Sequence, residues 1–182
     1  ARSVDVGMVD ALLSQTELLR TMDRQLGAPH LTDQMRAHLA TLQDVLTFAV
    51  LPAARRPVAR ALTGAATLAA WQALDVGAAE RAWRHYELAK SAARDADEPA
   101  LLAHAMGEQA YVLADAGKPD LAVTLVREAQ QVQTHRLPPR LVAWLAAAEA
   151  ELYALAGEAD QCRRALDRAA AALPPGAEAR EP

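Results

Sequence analysis

The sequence predicts an all-α fold, a helical solenoid of about eight antiparallel helices, and three observations carry that prediction. A turn glycine returns at a spacing of 40 residues, at Gly77, Gly117 and Gly157. Each is followed at matched offsets by a small residue (Ala82, Ala122, Cys162), a larger apolar residue (Tyr86, Val126, Leu166) and an alanine (Ala89, Ala129, Ala169). A fixed period in this range marks a stack of like supersecondary units, each unable to bury its apolar face alone. Finally, no segment shows the sustained alternation of β-branched residues that marks a strand.

The elements follow in order. From Val4 to Leu26, the residues Val9, Leu12, Thr16, Leu19 and Leu26 recur at helical spacing, and Gly27 with Pro29 stops the helix. Leu31 to Val50 is a second amphipathic helix, with Leu31, Met35, Leu39, Leu42, Leu46 and Ala49 on one face. Pro52 opens a third helix ending at Gly77, in which Pro57 falls in the first turn or makes a kink. A fourth runs from Ala79 to Arg94. The acidic loop from Asp95 to Glu98 then leads to Pro99, suited to the first position of a fifth helix that stops at Gly117. Pro119 begins a sixth, reaching Thr134; Pro138 and Pro139 open a seventh; Ala159 to Leu173 forms an eighth. The expected organisation is a leading or capping helical pair over residues 1–50, three helical hairpins over 51–173, and a disordered tail over 174–182.

Composition narrows the function classes. Hydrophobic residues make up 52% and aromatic residues only 4%, so alanine supplies much of the apolar face and helices can approach closely. The net charge of -4 argues against a phosphate-binding surface as the main role. One cysteine, Cys162, makes no intrachain disulfide; it suits a reducing cytoplasm and is expected as an inert buried thiol in a small-residue slot. No apolar run approaches a membrane span and no signal peptide is visible, so the expected location is cytoplasmic with no membrane partner. The chain opens at Ala1 without a starting Met, which reads as part of something longer.

At Gly77, Ala82, Tyr86 and Ala89, again at Gly117, Ala122 and Ala129, and at Gly157 and Ala169, the chain resembles the tetratricopeptide repeat (TPR) family. Val126 and Leu166 stand in that family's aromatic place and Cys162 in a small-residue place; the units are longer than its usual repeat. The resemblance implies a right-handed superhelix of paired helices. The segments L-L-R-T-M-D-R-Q-L-G, A-A-W-Q-A-L-D-V-G and A-W-R-H-Y-E-L-A-K-S-A-A-R-D-A-D are similar to the C-terminal TPR region of bacterial helix-turn-helix, lambda-repressor-like transcriptional regulators. This implies a sensory or partner-binding domain of a transcription regulator, contacting DNA only through a separate domain absent from this chain.

A ligand surface is expected along one helical stripe. On the fifth helix Leu102, Met106, Ala110 and Leu113 read as core, while His104, Glu108, Tyr111 and Asp115 fall on the other side. The 40-residue shift maps this second stripe onto Trp71 and Asp75 in the third helix and onto Trp144 and Glu151 in the seventh. In a stacked solenoid these would line one concave surface. Aromatic rings beside carboxylates suit a peptide or protein segment with apolar and basic side chains, or a cationic small molecule. The competing reading packs Trp71 and Trp144 against the leading helices or another subunit. His104 and Glu108, one turn apart, have no third metal ligand in view. His85 reads as a solvated position and Trp83 as a packing residue. The clusters Arg55, Arg56, Arg60 and Arg163, Arg164, Arg168 read as solvated faces.

No phosphate-binding loop, zinc-protease motif, nucleophile elbow or Cys-x-x-Cys is present, so no catalytic residue, metal site or cofactor is assigned. Two functions follow. One is a non-enzymatic sensor domain recognising a peptide, protein or small molecule. The other is a stand-alone interaction scaffold, dimerising through Ala165, Leu166, Ala169, Ala172 and Leu173 of the eighth helix.

Overall fold

The protein is described by a computed structural model over residues 6–27, 30–49 and 52–173. The expected termini at Val4 and Val50 and the tail from Pro174 lie outside the described residues. Within them the fold is all-α, without a strand: α1 (Val6–Leu26), α2 (Thr32–Asp44), α3 (Pro52–Asp75), α4 (Ala79–Asp95), α5 (Pro99–Asp115), α6 (Pro119–Gln131), α7 (Pro139–Leu155) and α8 (Ala159–Ala172). The chain divides after Leu101 into two compact units.

The repeated glycines close hairpins by one backbone device. Gly77, Gly117 and Gly157 have φ of 71°, 71° and 79°, the left-handed conformation that a Cβ disfavours. At the first, the Ala78 N–H donates to the Ala73 carbonyl and the Gly77 N–H to the Leu74 carbonyl, both at 2.8 Å. Lys118 with Leu113 and Gly117 with Ala114 repeat this pair, both at 2.9 Å, as do Glu158 with Tyr153 at 2.9 Å and Gly157 with Ala154 at 3.1 Å. The crossed bonds satisfy carbonyls that a helix end leaves orphaned. The same turn ends α4, with Asp97 at φ 52° in the glycine's place. No glycine announces it, because aspartate tolerates this conformation better than most side chains.

In the first unit α3 is the central element, packing against α1, α2 and most extensively α4. Its buried face is largely alanine (Ala59, Ala61, Ala65, Ala66, Ala70, Ala73), which lets larger neighbours interlock. Tyr86 of α4 is fully buried there, with Ala82 and Ala89 beside it one turn away on either side. One buried polar tie joins the leading helices. Thr16 Oγ1 donates to the Leu12 carbonyl at 3.2 Å and lies 2.8 Å from His38 Nε2. The hydroxyl proton is thereby committed, so His38 donates from Nε2. The second expected helix does not continue regularly: α2 stops at Asp44 and Val45–Ala49 forms a π-helical turn. The Leu46 carbonyl in that turn accepts from Arg55 Nη1 at 3.2 Å. Pro57 lies inside α3, which runs on without a break.

In the second unit Ala110, Ala122, Val123, Val126 and Leu152 form one core between α5, α6 and α7. The sixth helix stops at Gln131, and a 3-10 turn over Thr134–Arg136 replaces its expected last turn. Two packing expectations fail on α8. Leu166, placed with the core residues Tyr86 and Val126, is 51% exposed, and Cys162 is only half-buried. Ala165 is the residue of α8 that is fully buried, against α7. The reason is positional. Val126 lies in the core shared by α5, α6 and α7, whereas α8, the last described helix, packs on α7 and leaves Leu166 exposed.

Candidate functional site

The stripe of aromatic and acidic residues on α5 and α7 forms a contiguous patch in the second unit. Both helices begin on a proline, Pro99 and Pro139, whose missing N–H costs nothing at that position. Their faces then meet in the 40-residue register. Tyr111 Oη donates to Glu151 Oε2 at 2.7 Å across 40 positions. The rings of His104 and Trp144, also equivalent positions, have centroids 5.0 Å apart and planes tilted by 36°. Between these two pairs sits Gly107. A Cβ built there would lie 2.6 Å from Trp144 Cζ3 and 2.8 Å from Leu145 Cδ2. The close approach of α5 to α7 at Trp144 therefore requires glycine.

Glu108 completes the patch, its Oε1 lying 3.5 Å from His104 Nε2. Tyr111 is surrounded by negative charge. Burial raises its phenol pKa well above the usual tyrosine range, and the hydrogen bond and charge of Glu151 and then the charge of Glu108 raise it further. His104, Glu108, Tyr111 and Trp144 are each partly exposed, and Glu151 is exposed. These rings are neither deep core nor free on the surface. Their arrangement offers flat apolar contact beside carboxylates, chemistry that accepts a cation with an apolar stem. Among the described residues, no group of three or more His, Cys, Asp or Glu side chains is placed to hold a metal ion.

The remaining expected residues are Asp115, Trp71 and Asp75. Asp115 is exposed at the end of α5, outside these contacts. Trp71 and Asp75 lie one turn apart near the end of α3, in the first unit. Trp71 is 40% exposed. The Asp75 carboxyl is raised above its ordinary value, first by partial burial and then by the charge of Asp23 on α1. The basic cluster at the start of α3 is a tie to the acidic loop. Arg55 meets Asp95 at 3.6 Å, Arg60 meets Glu98 at 3.5 Å, and Arg56 pairs with Asp97 while donating to the Ala96 carbonyl at 3.2 Å. Trp83 is half-buried with Lys90 Nζ 5.9 Å from its ring centroid.

Two features were missed from sequence. Glu149 of α7 is a buried carboxyl side chain held by Arg168 Nη2 at 2.7 Å and Gln130 Nε2 at 2.8 Å, with Arg127 Nε at 4.0 Å. It ties α6, α7 and α8 together. His85, read as solvated, is half-buried at a cavity in the first unit; its pKa is pushed down by burial and then by Arg81 and Arg84. For Glu149 the sequence signal is a polar residue set in an alanine run, A-A-A-E-A; Gln72, at the same cavity as His85, is set likewise in A-A-W-Q-A.

No protein-family model and no curated protein matches this chain. Among solved structures, the chain is similar to the crystal structure of BtubC (BKLC) from P. vanneervenii, with a TM-score of 0.56 and 11% sequence identity. The match covers 96% of this chain and 92% of that one. At that identity the likeness is one of helical fold.

Proposed function

We propose that this chain is a non-enzymatic TPR-type recognition domain whose patch on α5 and α7 binds a peptide, a protein segment or a small molecule carrying a positive charge on an apolar stem. The observation that carries the proposal is the contact of equivalent positions, Tyr111 with Glu151 and His104 with Trp144, which with Glu108 gathers three rings and two carboxylates at a half-exposed surface. Following the resemblance seen in the sequence, the domain serves as the sensor region of a bacterial transcriptional regulator, and its DNA contact comes from a separate domain. The reading frame upstream of Ala1 tests that last step: an encoded helix-turn-helix supports it, and its absence argues against it. Binding is tested with Trp71 and Trp83 replaced by Phe, so that Trp144 is the sole emitter. Short Arg- and Lys-containing peptides with one aromatic residue should quench or shift its fluorescence saturably, and acidic peptides of the same length should not. Equal response to both would remove the patch from the proposal.

A second reading, self-association, is favoured by α8. Leu166 on the last described helix is 51% exposed, and Leu173, the extended residue just after it, is 41% exposed. Concentration-dependent dimerisation abolished by Leu166→Glu would support it, and a strict monomer would not.

A further inference from the structure

The first unit contains a cavity of about 230 Å³ between α2, α3 and α4, distant in chemistry from the aromatic-acidic patch. Its apolar lining comes from Met35 and Leu39 of α2 and Ala69 and Ala73 of α3. Its charged lining is positive, Arg36 from α2 and Arg81 and Arg84 from α4, with His85 of α4, Thr32 and Gln72 as further polar groups. In a chain of net charge -4, three guanidinium groups around one cavity form a local exception. Two of them are answered by neighbours, Arg36 by Asp33 at 3.0 Å and Arg84 by Glu80. No such carboxylate faces Arg81 among the described residues. The depressed pKa of His85, caused in part by Arg81 and Arg84, reports the same positive field.

The second, independent sign is Gln72. It lines the same cavity, is 6% exposed, and its Nε2 has no hydrogen-bond partner in the protein. Buried amide N–H groups are nearly always paired, and one facing a cavity is positioned to donate to whatever enters. An uncompensated cation at the rim, an unpaired donor in the wall and an apolar lining are complementary to one kind of molecule. We propose that this cavity binds a small organic carboxylate, its anionic oxygens held by Arg81 and the Gln72 amide and its compact apolar body lying on Met35, Leu39, Ala69 and Ala73. The single unanswered charge fits a monoanion better than a phosphate dianion. The volume equals that of roughly seven or eight liquid waters, enough for a benzoate-sized body and too small for a peptide. The site would place an effector of opposite charge in a different unit from the cation-accepting patch.

The experiment uses the full chain with ¹³C-methyl-labelled methionine, so that Met35 reports occupancy. Benzoate, benzyl alcohol, benzylamine and phenyl phosphate are titrated in turn. The expected result is a saturable shift of the Met35 methyl with benzoate, at least tenfold weaker binding of benzyl alcohol and benzylamine, and loss of at least tenfold in benzoate affinity in Arg81→Met with helicity retained. An unmoved Met35 methyl, equal affinity for the uncharged alcohol, or full benzoate affinity in Arg81→Met would each overturn the site. Tight binding of phenyl phosphate without benzoate would overturn its assignment to a monocarboxylate. The ligand comparison needs only the unmodified protein, so a poorly folded variant leaves the test intact.

Discussion

Tyr111 and Glu151 stand 40 residues apart in the chain and 2.7 Å apart in space, joined by a phenol-to-carboxylate hydrogen bond. The bond places the sequence period in direct contact with itself. It also fixes the protonation state of the phenol, since burial and two nearby carboxylates all oppose a tyrosinate. An unfolded tyrosine ionises near pH 10, at about its model value. A folded pKa above that stabilises the fold fully below about pH 10 and loses this contribution as pH rises through the folded value. Tyr111→Phe should remove the late tyrosinate step from an absorbance titration and reduce the alkaline loss of stability. Near neutral pH it should cost about 0.5–1.5 kcal/mol, the usual net worth of such a bond, in chemical denaturation.

Arg168→Met should cost more, about 1.5–3 kcal/mol, the range for hydrogen bonds to charged groups. Glu149 is 3% exposed and would keep Gln130 Nε2 but lose its close guanidinium. Arg127, at 4.0 Å, is the residue placed to compensate. The double variant Arg127→Met with Arg168→Met should therefore lose more stability in urea denaturation than the two single losses added together.

Two glycines separate two mechanisms. Gly117→Ala adds a methyl with no heavy atom within 4 Å, so its cost is the left-handed backbone at φ 71°, about 1–2 kcal/mol. Gly107→Ala lies inside α5, where alanine is the better helix former by about 0.5–1 kcal/mol. The new methyl meets Trp144 and Leu145, and overpacking of this kind costs about 1–3 kcal/mol. Both variants should lower the melting midpoint. Gly107→Ala should also change Trp144 emission, and Gly117→Ala should leave it unchanged.

Acid should weaken the fold through His38. Burial lowers its pKa, so the folded imidazole stays neutral while the unfolded chain takes up a proton near pH 6.5. The contribution is complete above that pH and is lost as pH falls through the lower folded value. His85 acts in the same direction. The urea midpoint should fall between about pH 7 and 5, with a shallower fall in His38→Gln.

The sequence alone determined the hairpins and their register. A left-handed glycine, a helix-opening proline and small residues at fixed offsets are local requirements, and local requirements are written in order along the chain. Gly77, Gly117 and Gly157 therefore pointed to the three crossed turns, and the 40-residue shift made Tyr111 and Glu151, and His104 and Trp144, equivalent positions; that they touch is a finding of the structure. Tertiary structure decided what depends on coverage from a distance. Leu166 fills the repeat position of Tyr86 and Val126 but stays exposed, because what buries such a residue is a neighbouring helix rather than its own. The cavity around Gln72 draws on α2, α3 and α4 at once, and the burial of Glu149 on α6, α7 and α8. A polar residue in an alanine run marks such places, but whether its partner is an arginine, a threonine or an incoming anion is set only when separate helices close around it.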